Sequence, residues 1–130
     1  MRWERWLCYH GFMRTIPEAD IVQLLDAVKR QFPNGAGEAV DHWVIKQGLD
    51  STNDPAIWVW VILKDALADR VSDVLVVNRI RDLIQDCLFE KLDVYFNFGL
   101  GVYVSFRSVS EQAEALAMHE RPRRRAARAR

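Results

Sequence analysis

Three acids flank a single apolar run. Asp50, Asp54 and Asp65 bracket residues 56–64 within "DSTNDPAIWVWVILKD", and carboxylates gathered on a sheet can hold Mg²⁺ for phosphoryl transfer. Polymerase-type nucleotidyltransferases place two such acids at alternate positions of one strand. Here those positions are Ile57, Val59 and Val61, so the pattern fails. Asp50 and Asp54 read instead as turn formers, whose carboxylates bond the local backbone. His10, His42 and His119 are too scattered to share a metal, and the two cysteines, Cys8 and Cys87, make no zinc motif. "NGAG" at 34–37 follows a helix, whereas phosphate-cradling glycine loops precede one. No nucleophile has an identifiable base. These residues argue for no catalytic site, no metal and no cofactor, and a metal-dependent phosphoryl-transfer enzyme ranks last among the readings.

The chemistry left is recognition. A strand alternates its side chains between two faces, so Ile57, Val59, Val61 and Leu63 point one way and Trp58, Trp60 and Ile62 the other. The other strand-like runs have one polar side. Trp43 and Ile45 oppose His42 and Lys46; Val94, Phe96 and Phe98 oppose Tyr95 and Asn97; Val102, Val104 and Phe106 oppose Tyr103, Ser105 and Arg107. That is the pattern of an antiparallel sheet with one wet face, and only 56–64 breaks it. If that strand is central, Trp58, Trp60 and Ile62 form an apolar patch rimmed by Tyr95, Tyr103 and Arg107. Such a patch suits homodimerisation or a protein partner. It could equally be covered by Trp3, Trp6 and Leu7, or by the helix at 109–119. A third reading stacks unpaired bases on the aromatics, as RNA-recognition modules do. "GLGVYVSF" (99–106) matches their sheet motif poorly, with Leu100 and Val102 where aromatics belong.

The positioning elements follow from periodicity. Thr15-Ile16-Pro17-Glu18 has the form of a capping box, and Ile21, Leu24, Leu25, Val28 and Phe32 recur at helical spacing until the Pro33–Gly37 turn. Residues 40–49 and 56–64 read as an antiparallel hairpin with a longer loop. A long amphipathic helix lies within 71–92, with Ile80, Leu83, Ile84, Cys87 and Leu88 on its stripe. Strand-like runs at 94–98 and 102–106 follow. Ser108-Val109-Ser110-Glu111 is a second capping box, opening a short helix expected to end before Pro122. The class is α+β: a two-layer sandwich with a mainly antiparallel sheet and helices on one face. A further strand in "RWLCYHG" near the start would make the order β-α-β-β-α-β, ferredoxin-like, plus the terminal helix.

A chain of 130 residues, half of them hydrophobic, suits one domain with a real core. The formal charge of zero conceals an asymmetry. Residues 1–120 carry 12 Lys+Arg against 18 Asp+Glu, a net of −6, while Arg121, Arg123, Arg124, Arg125, Arg128 and Arg130 crowd the last ten residues. The reading is one domain over 1–120 and a disordered arginine-rich tail over 121–130. The tail is a candidate for salt-dependent binding to nucleic acid or an acidic partner. No apolar stretch approaches the roughly 20 residues of a membrane span, and no signal peptide is evident. Reduced cysteines and a cytoplasmic location are expected.

"GLDSTNDPAIWVWVILKD", "IRDLI" and "VYVSFRSVSEQ", covering roughly 45–112, resemble a loose group of small uncharacterised bacterial proteins. In that group an Asp-rich turn leads into a "PA-hydrophobic" strand and the chain closes on a "YV-x-FR-[ST]-x-SE" run. Such reading frames are associated with paired-gene, toxin–antitoxin-like settings. The resemblance implies a bacterial, cytoplasmic, non-enzymatic protein that binds a partner. "FNFGLG" before the closing strand departs from the group.

Overall fold

The structure, a computed structural model of the 130-residue chain, describes residues 15–92 and 99–128, with side chains as far as Met118. In chain order come α1 (Glu18–Val28), a 3₁₀ turn, a second such turn at Pro33–Gly35, the short α2 (Ala36–Ala39), β1 (Val40–Leu49) and β2 (Pro55–Leu63). A 3₁₀ segment (Asp65–Val71), α3 (Val74–Leu92), β3 (Gly101–Ser108) and α4 (Val109–Arg128) complete it. The class is α+β, as expected. The strand expected at 94–98 and the one considered in "RWLCYHG" lie outside the described residues.

The sheet order is β1-β2-β3, so β2 is central. β1 and β2 form the expected antiparallel hairpin, with Trp43 opposite Val61 and Lys46 opposite Trp58. β3 runs parallel to β2, from Gly101 opposite Ala56 to Ser108 opposite Leu63. The sheet is therefore mixed rather than mainly antiparallel. The reason is α3, whose 19 residues span about 28 Å, enough to return the chain to the end at which β2 began. A parallel neighbour needs such a crossover. The same pairing corrects the ferredoxin-like expectation. A split βαβ unit holds another strand between its parallel pair, whereas β2 and β3 bond directly along their length.

The face toward α1 and α3 is the one alternation assigns. Ile57, Val59, Val61 and Leu63 join Trp43, Val102 and Val104 in one core with Ile21, Leu25 and Val28 of α1 and Ile80, Ile84 and Leu88 of α3. Ile45, Phe106, Leu83 and Cys87 pack against it, partly buried. Cys87 is a free thiol, and burial pushes its pKa up, so it acts as a small hydrophobe.

One of the two expected capping boxes forms. At Ser108 the box forms: Glu111 N–H donates to Ser108 Oγ, and Ser108 N–H to Glu111 Oε1, each at 3.1 Å. At Thr15 it does not. The residue preceding α1 is Pro17, with no side-chain cap. Ile16 is instead tied to β1, its N–H donating to Gln47 Oε1 at 2.8 Å and its carbonyl accepting from Gln47 Nε2 at 2.7 Å. Backbone committed to a strand residue cannot join the helix. α4 also runs past Pro122 to Arg128, beyond the expected end. The Ala- and Arg-rich sequence there favours helix, against the local penalty of one proline.

Ile84 is fully buried in the core, while Leu75, on the same helix, is 75% exposed. Ile84→Ala is expected to cost about 2–5 kcal/mol and Leu75→Ala no more than about 0.5 kcal/mol, read as shifts of the urea midpoint.

Candidate functional site

The second face of the sheet is a grid set by register. Down its centre run Ala56, Trp58, Trp60 and Ile62. β1 contributes Gly48, Lys46, Val44 and His42 opposite them, and β3 contributes Gly101, Tyr103, Ser105 and Arg107. Neighbouring strands lie about 4.8 Å apart, so the side chains of each row lie side by side.

The row of small residues at one end lets the large rings lie down. A Cβ on Gly48 would stand 3.4 Å from the Trp58 ring, and one on Gly101 would stand 3.2 Å from that of Tyr103. Trp58 and Tyr103 stack at 5.8 Å between centroids and 21° between planes. Lys46 Nζ sits 5.6 Å above the Trp58 ring, and the Arg107 guanidinium 5.7 Å above Trp60. A cation over an indole face is attracted by the ring quadrupole, by about 0.5–1 kcal/mol where exposed. Trp58 and Trp60 are half-buried, each with a cation over its ring, and Tyr103 is 45% exposed.

The opposite end is closed. Ser108, which caps α4, pairs with Leu63. Ser110 donates from Oγ and N–H to the two Asp65 carboxylate oxygens, at 2.6 and 3.2 Å. Arg107 Nη1 donates to Gln112 Oε1 at 3.0 Å. Ile62 is fully buried here and does not belong to an open patch. These bonds hold the Asp65 carboxyl below the usual carboxylate range, the Ser110 hydroxyl foremost.

Of the residues expected to form the patch, the structure brings together Trp58, Trp60, Tyr103 and Arg107; Tyr95 lies outside the described residues. The helix expected over 109–119 starts at the Ile62 end, where Arg107 bonds Gln112 and Ile62 is fully buried; Trp58 and Trp60 stay half-buried, and Glu114, Leu116 and Met118 are exposed. Trp3, Trp6 and Leu7 lie outside the described residues, as do Cys8 and His10. The arginines at 121, 123, 124, 125 and 128 fall on helical backbone, and Arg130 lies outside the described residues.

The three acids are not brought together. Asp50 and Asp54 sit at the start of β2 and Asp65 after its end, and no group of three His, Cys, Asp or Glu among the described residues could hold a metal ion. Asp50 is the turn former expected, accepting the N–H groups of Thr52 and Asp54 at 2.9 and 3.1 Å and the Thr52 hydroxyl at 2.6 Å. Its other oxygen accepts the Tyr103 hydroxyl at 3.1 Å, a link across 53 residues that no local pattern announces. His42 lies beside its neighbour, Nδ1 being 2.6 Å from Asp41 Oδ2.

The chain matches no family model, no curated protein and no solved structure. Fold and site define a small α+β protein whose open sheet face carries tryptophans capped by cations.

The Asp50 contact has a pH signature. Hydrogen bonding to Asp50 first, and then its charge, push the Tyr103 hydroxyl above the usual tyrosine range, while Thr52 above all lowers Asp50. A raised folded pKa means that the contact stabilises fully below the ordinary tyrosine pKa and is lost as pH rises through that of Tyr103. In tyrosinate absorbance titrations, the component removed by Tyr103→Phe should ionise late, and Asp50→Asn should return it toward the ordinary range. A component that Asp50→Asn leaves in place would contradict the contact.

Proposed function

We propose that the protein is a non-enzymatic interaction protein that self-associates through this sheet face, the α4 helix of one copy lying on the face of the other. The observation that carries the reading is complementarity within one chain. The face offers Trp58, Trp60 and Tyr103 with the cations Lys46 and Arg107. The described outer part of α4 offers Glu111 and Glu114 with exposed Leu116 and Met118, which are 62% and 60% exposed. Tryptophan, tyrosine and arginine are the residues most enriched where contacts carry binding energy.

Area supports the helix as the covering element. Three strands and four rows give a face of roughly 300 Å², short of the roughly 800 Å² per partner in a standard interface. A helix of 20 residues, about 30 Å long, doubles what each copy contributes in a reciprocal arrangement.

Light scattering across a dilution series should show a dimer that Trp60→Ala weakens at least tenfold, about 1.4 kcal/mol. Glu114→Lys combined with Leu116→Ala should have a similar effect, with the helical circular dichroism retained in each. A monomer at every concentration, or a dimer indifferent to both variants, would sink the reading.

The cations over Trp58 and Trp60 also favour a second reading, single-stranded nucleic acid, since base stacking on aromatics beside lysine and arginine is tolerant of sequence. Its signature is tryptophan quenching by short RNA, weaker with added salt and weaker again without residues 121–130. Absence of quenching at low salt removes it.

A further inference from the structure

We infer that a second site, on the opposite side of the core from the tryptophan face, binds a phosphate monoester. Between the end of α1, the α2 turn and the end of β2 lies a cavity of about 450 Å³, lined by Lys29, Arg30, Phe32, Glu38, Val40 and Lys64 among others. That volume is in the range of small-molecule sites.

Charge identifies the ligand class. Glu38 is committed elsewhere, accepting from Arg70 Nη1 at 3.1 Å. Lys29 Nζ is shared with Asp26, 3.5 Å away. Arg30 and Lys64 make no side-chain hydrogen bond or ion pair among the described residues. Two uncommitted positive charges therefore face one cavity, in a body of net −6 over residues 1–120. A carboxylate would neutralise one of them. A phosphate monoester, carrying about −1.5 to −2 at neutral pH, matches both, and lysine and arginine both bind phosphate oxygens by charge-assisted hydrogen bonds.

The walls are built rather than floppy. Gly37 packs so closely that a Cβ there would stand 2.4 Å from the Lys29 carbonyl oxygen, which fixes the Lys29–Arg30 backbone against α2. Arg70 clamps the rim: Nη1 donates to the Gly35 carbonyl at 3.3 Å, and the Arg70 carbonyl accepts from Asn34 Nδ2 at 3.3 Å. Phe32 and Val40 supply an apolar wall, and the Phe32 ring is braced edge-on by Trp43 at 6.4 Å and 82°. An organic group attached to the phosphate could rest there.

Amide chemical shifts of the full chain, titrated with inorganic phosphate and separately with adenosine monophosphate at constant ionic strength, test the inference. Saturable shifts are expected at Gly35, Gly37 and Lys64. Arg30→Ala and Lys64→Ala, both at exposed positions, should each weaken binding about tenfold, and Arg79→Ala, exposed on α3 away from the cavity, should leave it unchanged. Tighter binding of the nucleotide would assign the Phe32 and Val40 wall to the organic group. Equal binding would assign the site to the phosphate alone. Shifts that do not saturate, that appear only in the arginine-rich C-terminus, or that Arg79→Ala weakens as much as Lys64→Ala would overturn it. None of these readouts depends on the tryptophan face, so this site and the self-association stand or fall separately.

Discussion

β2 is hydrogen-bonded along both edges and apolar on both faces, and the positions of the other elements follow from satisfying it. Its odd-numbered residues, from Ile57 to Leu63, are buried against α1 and α3. Fixing that face fixes the register of β1 and β3, because a slip of one residue would turn a buried row toward water. The even-numbered residues then have no choice of side. Trp58 and Trp60 emerge opposite the helices, where no described element lies over them.

Among the described residues the sheet has three strands, with two edges and one face turned away from α1 and α3, and the chain treats them differently. The outer edge of β3 is tied to α3 by side chains, Gln85 Nε2 donating to the Val102 carbonyl at 3.0 Å and Arg81 Nε to that of Val104 at 3.4 Å. Covering an edge in this way blunts unwanted strand pairing. The face turned away from the helices is dressed by cations instead. Lys46 and Arg107 lay their stems and charges across the indoles, so the tryptophans are only half-exposed and remain within reach of a partner able to compete for them. The closed Ile62 end and the stacked Trp58–Tyr103 end leave Trp60, with Val44 and Ser105 beside it, as the accessible middle of the face.

Charge follows the same division. In this acidic body Lys46 makes no ion pair at the rim of the tryptophan face, and neither do Arg30 and Lys64 at the cavity beside α2, among the described residues. Other charged groups are engaged locally: Arg70 with Glu38, Lys29 with Asp26, and Asp65 with the first turn of α4. What the Arg70 clamp rigidifies is therefore the wall of the cavity, while Asp65 and Ser110 set where α4 leaves the sheet.

Much of this was legible in the sequence because it is local or periodic. Alternation over 56–64 assigned each side chain to its face, the Asp50 turn and the Ser108 capping box were legible from residue type and spacing, and the helical stripe of Ile80, Ile84 and Leu88 stood where the core has it. What only the tertiary structure decided involves partners far apart in the chain. Alternation is the same in parallel and antiparallel ladders, so the parallel pairing of β3 awaited the crossover through α3. Thr15 carried a capping pattern, but Gln47, 31 residues away from Ile16, took the backbone that the cap required. Ile62 read as part of an open patch but is fully buried in the fold, and the cavity cations come from two segments that no spacing rule connects. Local sequence determines which groups a residue can satisfy nearby. When a distant group satisfies them better, only the folded chain can show it.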